Sequence, residues 1–208
     1  METMNQPQKC MRLLKKMELS TLFSVMPEAF QLVRFHKGEL LVDPDKPMEH
    51  LLFLAEGEVH IYGLREDGSS FSVYMADQRT VLGDLEFIRQ TSLPFYTEAS
   101  EEVLCVSLSA ERYRKELEQD PAFLRFLLQS LASKFYLIFL IGNSSQPVEE
   151  KLLTFLREAQ PDHRIHSIHS VTGKLQCSRS QLQRAVRKLC AEHVLEHTGK
   201  GKYRLIKL

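Results

Sequence analysis

From Leu32 to Ser109 the chain is broken into short apolar or alternating runs by closely spaced turn signals, a texture that predicts β-structure. The signals are Lys37-Gly38, Asp43-Pro44, Glu56-Gly57, Asp67-Gly68 and Leu82-Gly83. Between them lie the runs Gln31–His36, His50–Ala55, Glu58–Leu64, Ser70–Met75 and Glu102–Leu108. Several short strands at such spacing predict an antiparallel sandwich or barrel. Arg65-Glu66-Asp67-Gly68, set between two alternating runs, predicts a hairpin. Cys105 falls in the apolar run Val103–Val106 and is expected to be a buried strand residue.

Helical spacing replaces this pattern on both sides. Leu13, Leu14, Met17, Leu19, Leu22 and Phe23 predict one or two short helices within residues 9–30. Ser109 is a good N-cap and is expected to open a helix, although Arg112 leaves its capping box incomplete. Asp120-Pro121 restarts the helix, with aspartate as cap and proline at the first helical position. That helix is expected to run to about Ile141 and to end at Gly142-Asn143. Its apolar residues, from Phe123 to Ile141, cover more of the circumference than one core stripe needs. The excess predicts a second surface, the same helix of another subunit, with Leu127, Leu131, Phe135 and Ile138 near the axis.

Charge divides the chain further. Its 208 residues carry 27 basic and 27 acidic side chains, a net of zero. Residues 1–145 hold 15 Lys and Arg against 21 Asp and Glu, and residues 146–208 hold 12 against 6. An acidic module followed by a small basic one is the footprint of a polyanion binder. The basic module has its own grammar. After the polar hinge Asn143–Pro147 come predicted helices at Val148–Ala159, Ile168–Leu175 and Arg179–His193. Val194–Glu196 and Lys202–Ile206 then alternate around Thr198-Gly199-Lys200-Gly201, which predicts a hairpin with a basic tip. Helix, helix, turn, helix and β-wing is the order of a winged helix-turn-helix.

The third of these helices carries the chemistry. Leu175, Leu182, Val186 and Leu189 fall on a core face, Cys177 fits a buried turn position, and Ser178 is the N-cap. In this motif the helix N-terminus enters the major groove. Arg179 and Arg184 are therefore expected to offer paired donors to guanine and Gln183 to pair with adenine, with Ser180 among the base readers. Ser178, Arg187, Lys188, Lys200 and Lys202, with Arg204 beside them, are expected on phosphates, which position the protein without specifying sequence.

Over essentially its whole length the chain resembles the cyclic AMP receptor/fumarate–nitrate regulator (CRP/FNR) family of bacterial transcription factors. Cys177-Ser178-Arg179 followed by Arg184 is similar to the family's recognition-helix signature. Phe35–Leu41, Leu52–Tyr62 and Val81–Glu86 follow the glycines and spacing of its cyclic-nucleotide jelly roll. The resemblance implies an α+β chain in three parts. Residues 1–118 are a double-stranded β-helix, or jelly-roll, sensor domain of the cyclic-nucleotide-binding type; residues 119–145 a long dimerisation helix and hinge; residues 146–208 the winged helix-turn-helix. It implies double-stranded DNA and a second copy of the chain as partners, RNA polymerase as a further candidate, and a small-molecule effector of unstated identity near Gly83, Asp84, Leu85, Glu86, Pro94 and Phe95.

Three departures qualify what carries over. The family's phosphate-binding turn, Gly-Glu followed by Arg-Ser-Ala or Arg-Thr-Ala, is matched by Gly83-Asp84, but Pro94-Phe95-Tyr96 stands where the arginine belongs. A buried phosphate without its arginine is costly, so cyclic AMP is not expected to bind in the usual way. Cys10 alone stands where the cluster-binding branch has several cysteines, and none of the four cysteines forms a close pair, so no metal or cofactor is expected. Ser180 replaces the signature's glutamate and removes an acceptor for cytosine N4.

Other functions find less support. His163, His166 and His169 recur every third residue beside Pro161-Asp162, without an orienting shell that would predict a metal site. No P-loop, nucleophile elbow or HExxH occurs, so no enzyme is expected. A cyclic-nucleotide signalling module without DNA function is the main alternative. No apolar run spans a membrane and no secretory signal opens the chain, so a cytoplasmic location is expected.

Overall fold

Side chains alternate across a β-strand, and this sorts the apolar residues of the N-terminal part into two cores, one on each face of a central sheet. The computed structural model describes residues 1–19, 27–76, 80–139, 146–160 and 162–206. The chain divides into two compact units, Met1–Ala132 and Ser133–Leu208. The elements of the first are β1 (Glu2–Met4), α1 (Pro7–Lys16), β2 (Gln31–Phe35), β3 (Leu40–Val42), β4 (His50–Glu56), β5 (Val59–Leu64), β6 (Ser70–Ala76), β7 (Val81–Leu82), α2 (Asp84–Arg89), β8 (Tyr96–Ala99), β9 (Val103–Ser109), α3 (Arg114–Glu118) and the start of α4 (Pro121–Leu137).

The strands form two antiparallel sheets, β1-β2-β9-β4-β7 and β3-β8-β5-β6, the sandwich that the turn signals predicted. In β4 nearly every residue is buried, because the central sheet is covered on both faces. Leu52 and Leu54 point between the sheets, against Val59, Ala76, Ala99 and Cys105. Leu51, Phe53 and Ala55 point the other way, against Leu13 and Leu14 of α1 and Phe123 and Leu127 of α4. Cys105 is fully buried, and burial pushes its thiol up to about 12, so it packs as a small apolar residue.

Two glycines are required by the backbone. Gly57, in the β4–β5 turn, has φ +91° and would bring a Cβ within 2.5 Å of the Glu102 carbonyl. Gly83, before α2, has φ +86° and would bring one within 2.8 Å of the His50 carbonyl. Only a residue without a side chain fits either place.

The helices differ from expectation in their starts. Ser109 Oγ accepts from Arg112 N at 3.3 Å, but this closes a turn, and α3 begins only at Arg114. Asp120 is the cap that works: its carboxylate accepts from Ala122 N at 2.8 Å and Phe123 N at 3.2 Å. α1 ends at Lys16, short of the stretch expected to be helical; Leu22 and Phe23 lie outside the described residues, as do Ile141, Gly142 and Asn143.

The second unit contains α5 (Val148–Thr154), a wider turn of helix at Phe155–Ala159, β10 (Arg164–Ile165), α6 (Ile168–Leu175), α7 (Arg179–Ala191), β11 (Leu195–Gly199) and β12 (Lys202–Leu205). β10, β12 and β11 form a small antiparallel sheet, so the predicted wing hairpin gains a third strand. Leu152, Leu156, Val171, Leu175, Leu182, Val186, Leu189 and Leu195 form one core between helices and sheet.

Candidate nucleic-acid interface

α7 is set in place by its two ends and one face. Its cap is a complete capping box: Gln181 N donates to Ser178 Oγ at 3.2 Å, and Ser178 N donates to Gln181 Oε1 at 2.8 Å. The pattern Ser-x-x-Gln was readable in the sequence, and Gln181 is the functional residue that the sequence reading missed. Ser178, expected on a phosphate, has its amide and its hydroxyl engaged in holding the helix end. Replacing it with alanine is expected to cost about 1 kcal/mol of stability, and glycine only a few tenths. Urea unfolding of the wild type and the two variants checks this, and an alanine variant as stable as the wild type would show that the hydroxyl contributes nothing.

Leu182, Ala185, Val186 and Leu189 bury one side of α7. Arg179, Ser180, Gln183, Arg184, Arg187 and Lys188 are all exposed and occupy about half the circumference on the other side, as a period of 3.6 residues dictates. Arg187 Nε turns back to donate to the Gln183 carbonyl at 3.3 Å. Lys188 Nζ lies 3.8 Å from the half-buried Glu149 on α5, a long contact from an exposed lysine that is worth little and leaves the ammonium accessible. On the wing, Lys200 and Lys202 are exposed, while Arg204 pairs with Glu196 on the facing strand. The arrangement presents a helix N-terminus, a row of guanidinium groups and a basic hairpin from one small domain.

The histidines near this unit are bound into its framework. His163 Nδ1 donates to the Leu156 carbonyl at 2.8 Å, and His166 Nε2 donates to Asp162 at 2.6 Å. Nothing is described of the His169 side chain. Among the described residues no three His, Cys, Asp or Glu side chains gather where they could hold a metal ion.

In the first unit, Gly83 leads directly into α2, and Asp84 is buried, its carboxylate accepting from Leu85 N at 3.0 Å. Leu85 is exposed and Glu86 half-buried. Pro94 is exposed and Phe95 half-buried, in a tight turn where Phe95 N donates to the Leu93 carbonyl at 2.8 Å. Between Gly83 and Tyr96 the one basic residue is Arg89, in the last turn of α2 with its side chain exposed.

The seam residues are divided by the fold. Leu127 is 2% exposed and belongs to the first unit's own core, a correction to its expected place near an axis. Leu131 is partly buried against the same core. Phe135 is 71% exposed and Ile138 38%, and Leu124 and Leu128 are also exposed.

Residues 32–120 match the cyclic nucleotide-binding domain family. The chain also superposes on FixK2 from Bradyrhizobium japonicum, with TM-score 0.67 and 20% identity, covering 86% of this chain and 93% of that one. The chain has the fold of the CRP/FNR regulators. A transcriptional regulator of the CRP/FNR family from Thermus thermophilus superposes with TM-score 0.54 at 16% identity, covering 85% of this chain and 94% of that one. In sequence, 142 residues are 26% identical to the regulatory protein YeiL of Escherichia coli O157:H7, covering 67% of this chain and 65% of that relative. Among the described residues no helix is long and apolar enough to cross a membrane.

Proposed function

We propose that this chain is a sequence-specific DNA-binding transcription regulator rather than an enzyme, acting in the cytoplasm as a homodimer on a near-palindromic site. The observation that carries the reading is α7, whose capped N-terminus and exposed basic half stand clear of the core that holds them. Arg179, Gln183 and Arg184 read base edges; Arg187, Lys188, Lys200 and Lys202 engage phosphates. A two-fold dimer places its recognition helices about 34 Å apart, one helical turn of DNA. The likeness to regulators of the CRP/FNR fold supports the same reading.

Binding of genomic fragments to purified protein tests the proposal. Retention of a small set of fragments that share an inverted repeat is the expected result, and uniform retention of all fragments would refute sequence specificity.

The match of residues 32–120 to a cyclic nucleotide-binding domain favours a second reading, a nucleotide-sensing module without DNA function. Pro94 and Phe95, where a phosphate needs an arginine, weigh against it. Calorimetry is accordingly expected to give no specific heat with millimolar cyclic AMP or cyclic GMP. Saturable binding of either would mean that another cation, Arg89 first, takes the phosphate. The effector, on this reading, is a small molecule without a cyclic phosphate, taken up beside Gly83–Glu86.

A further inference from the structure

We infer that the outer face of the sheet β3-β8-β5-β6 is a docking surface for an arginine-bearing segment of a partner protein, held by Tyr62, Tyr96 and Glu98. The inference goes beyond the DNA-binding reading above and does not depend on it.

Strand alternation assembles the patch. Val59, Ile61 and Ala99 belong to the core between the sheets, so His60, Tyr62 and Glu98 face outward. β5 and β8 pair with His60 opposite Glu98 and Tyr62 opposite Tyr96, which sets these four side chains in one square on one face. Tyr62 and Tyr96 stack, with ring centroids 5.4 Å apart and planes 16° from parallel. His60 extends the row, 5.2 Å from Tyr62, and bonds to Ser72 on β6 at 2.9 Å. The Tyr62 hydroxyl donates to Glu98 Oε2 at 3.3 Å. Burial first, then the Glu98 carboxylate, pushes that hydroxyl up, so it stays protonated and remains a donor. Leu40, opposite Glu98 on β3, is also exposed and gives the square an apolar border.

The chemistry of the square selects its partner. Aromatic pairs across strands stabilise a sheet by themselves, but that role calls for no carboxylate. Elsewhere on this unit Glu2 has Arg34, Asp43 has Lys46 and Glu118 has Arg114. Glu98 has only a neutral hydroxyl, and among the described residues no lysine or arginine pairs with it. Its charge repels phosphates and acidic segments and attracts a cation. A guanidinium fits this square better than an ammonium. It is planar and lies on an aromatic row as a further layer, and it can give two parallel hydrogen bonds to a carboxylate. Its methylene stem covers apolar surface such as Leu40. A lysine brings the charge without the plane.

The test is an NMR titration of the full chain carrying ring-labelled tyrosine, with the six tyrosines as reporters. Y62F and Y96F assign the two signals of the patch. The probes are the capped pentapeptide Gly-Ser-Arg-Ser-Gly, its lysine counterpart, and its citrulline counterpart, which is planar but uncharged. The arginine peptide is expected to move the Tyr62 and Tyr96 signals saturably, in the millimolar range suited to a single anchor, and to leave the exposed Tyr136 in place. The lysine peptide should bind on the order of fivefold more weakly, and the citrulline peptide more weakly still. E98Q, a change at an exposed site that keeps the side chain's shape, should weaken the arginine peptide by on the order of fivefold. Unmoved Tyr62 and Tyr96 signals overturn the inference, as does a shift shared equally by Tyr136. So do arginine and lysine or citrulline peptides of equal affinity, or an E98Q chain that binds as well as the wild type. Each of these results would leave the aromatic row with a cross-strand role in the sheet alone.

Discussion

Replacing Phe135 and Ile138 together with glutamate is expected to leave a folded monomer that no longer holds DNA. The reason lies in how α4 divides its apolar residues. Phe123 and Leu127 are buried in the core of the first unit. Leu124, Leu128, Leu131, Phe135 and Ile138 follow a four-three-four-three spacing, the alternation of a coiled-coil seam. Leu128 is 68% exposed and Phe135 71%, high for residues with no work to do in a lone chain. Two carboxylates at the centre of a proposed seam meet their own copies across the two-fold axis, and burying them unpaired costs more than the seam gains. Loss of the dimer also removes the gain from engaging two half-sites at once, about 100-fold or more in affinity. Sedimentation and a gel-shift on the same preparations check both effects. Leu127→Ala is the control: it is expected to lower stability by about 2–5 kcal/mol, as for other buried leucines, and to leave the dimer intact. A wild-type chain that sediments as a monomer at micromolar concentration would end the argument, as would a Leu127→Ala variant that dissociates without losing stability.

The same helix shows what the sequence could and could not disclose. Its excess of apolar residues announced more than one core stripe, and the helix carries a buried stripe and an exposed apolar row. Which residue served which surface was not legible, because Leu127 and Leu128 are chemically identical and one step of about 100° separates them. The sheets divide similarly. The long runs that became β2, β4, β5, β6 and β9 were visible because each alternates or stays apolar over five residues or more. β1, β3, β7 and β8 have two to four residues each and are too short to show a period. β1 in particular is the polar stretch Glu2-Thr3-Met4, held by pairing with Leu32, Val33 and Arg34, and nothing in its own composition predicts a strand. Local caps read well where the side chain was the right length, at Asp120 and Ser178, and poorly at Ser109, where the hydroxyl closes a turn and the helix waits for Arg114. At the candidate site the residues of α7 were legible because core spacing determines the opposite face. What stayed hidden was their mutual bonding: Arg187 turned onto Gln183, Lys188 facing Glu149. These are interactions along or between helices, set by rotamers that no periodicity records.

Arg184→Ala and the double change Lys200→Ala with Lys202→Ala are expected to weaken DNA binding in ways that differ in kind. Arg184 is exposed on the reading half of α7, one turn beyond Ser180, and no described acidic side chain pairs with it. A guanidinium held there can give two parallel hydrogen bonds to guanine, worth about 1–3 kcal/mol of discrimination per half-site. In a dimer the substitution occurs twice, so the specific complex should lose roughly 2–6 kcal/mol while binding to random DNA changes little. The wing lysines are exposed on a hairpin that offers no partner of defined shape, and an ammonium recognises phosphate as a point charge. Their removal should weaken specific and random DNA alike, and should flatten the slope of log affinity against log salt by about 0.9 for each phosphate left without its lysine. Equilibrium titrations of one selected duplex and one scrambled duplex, at several salt concentrations, separate the two classes. If Arg184→Ala lowered both affinities by the same factor and changed the salt slope, Arg184 would be bound to phosphate and the base-reading face of α7 would have to be redrawn around Arg179 and Gln183.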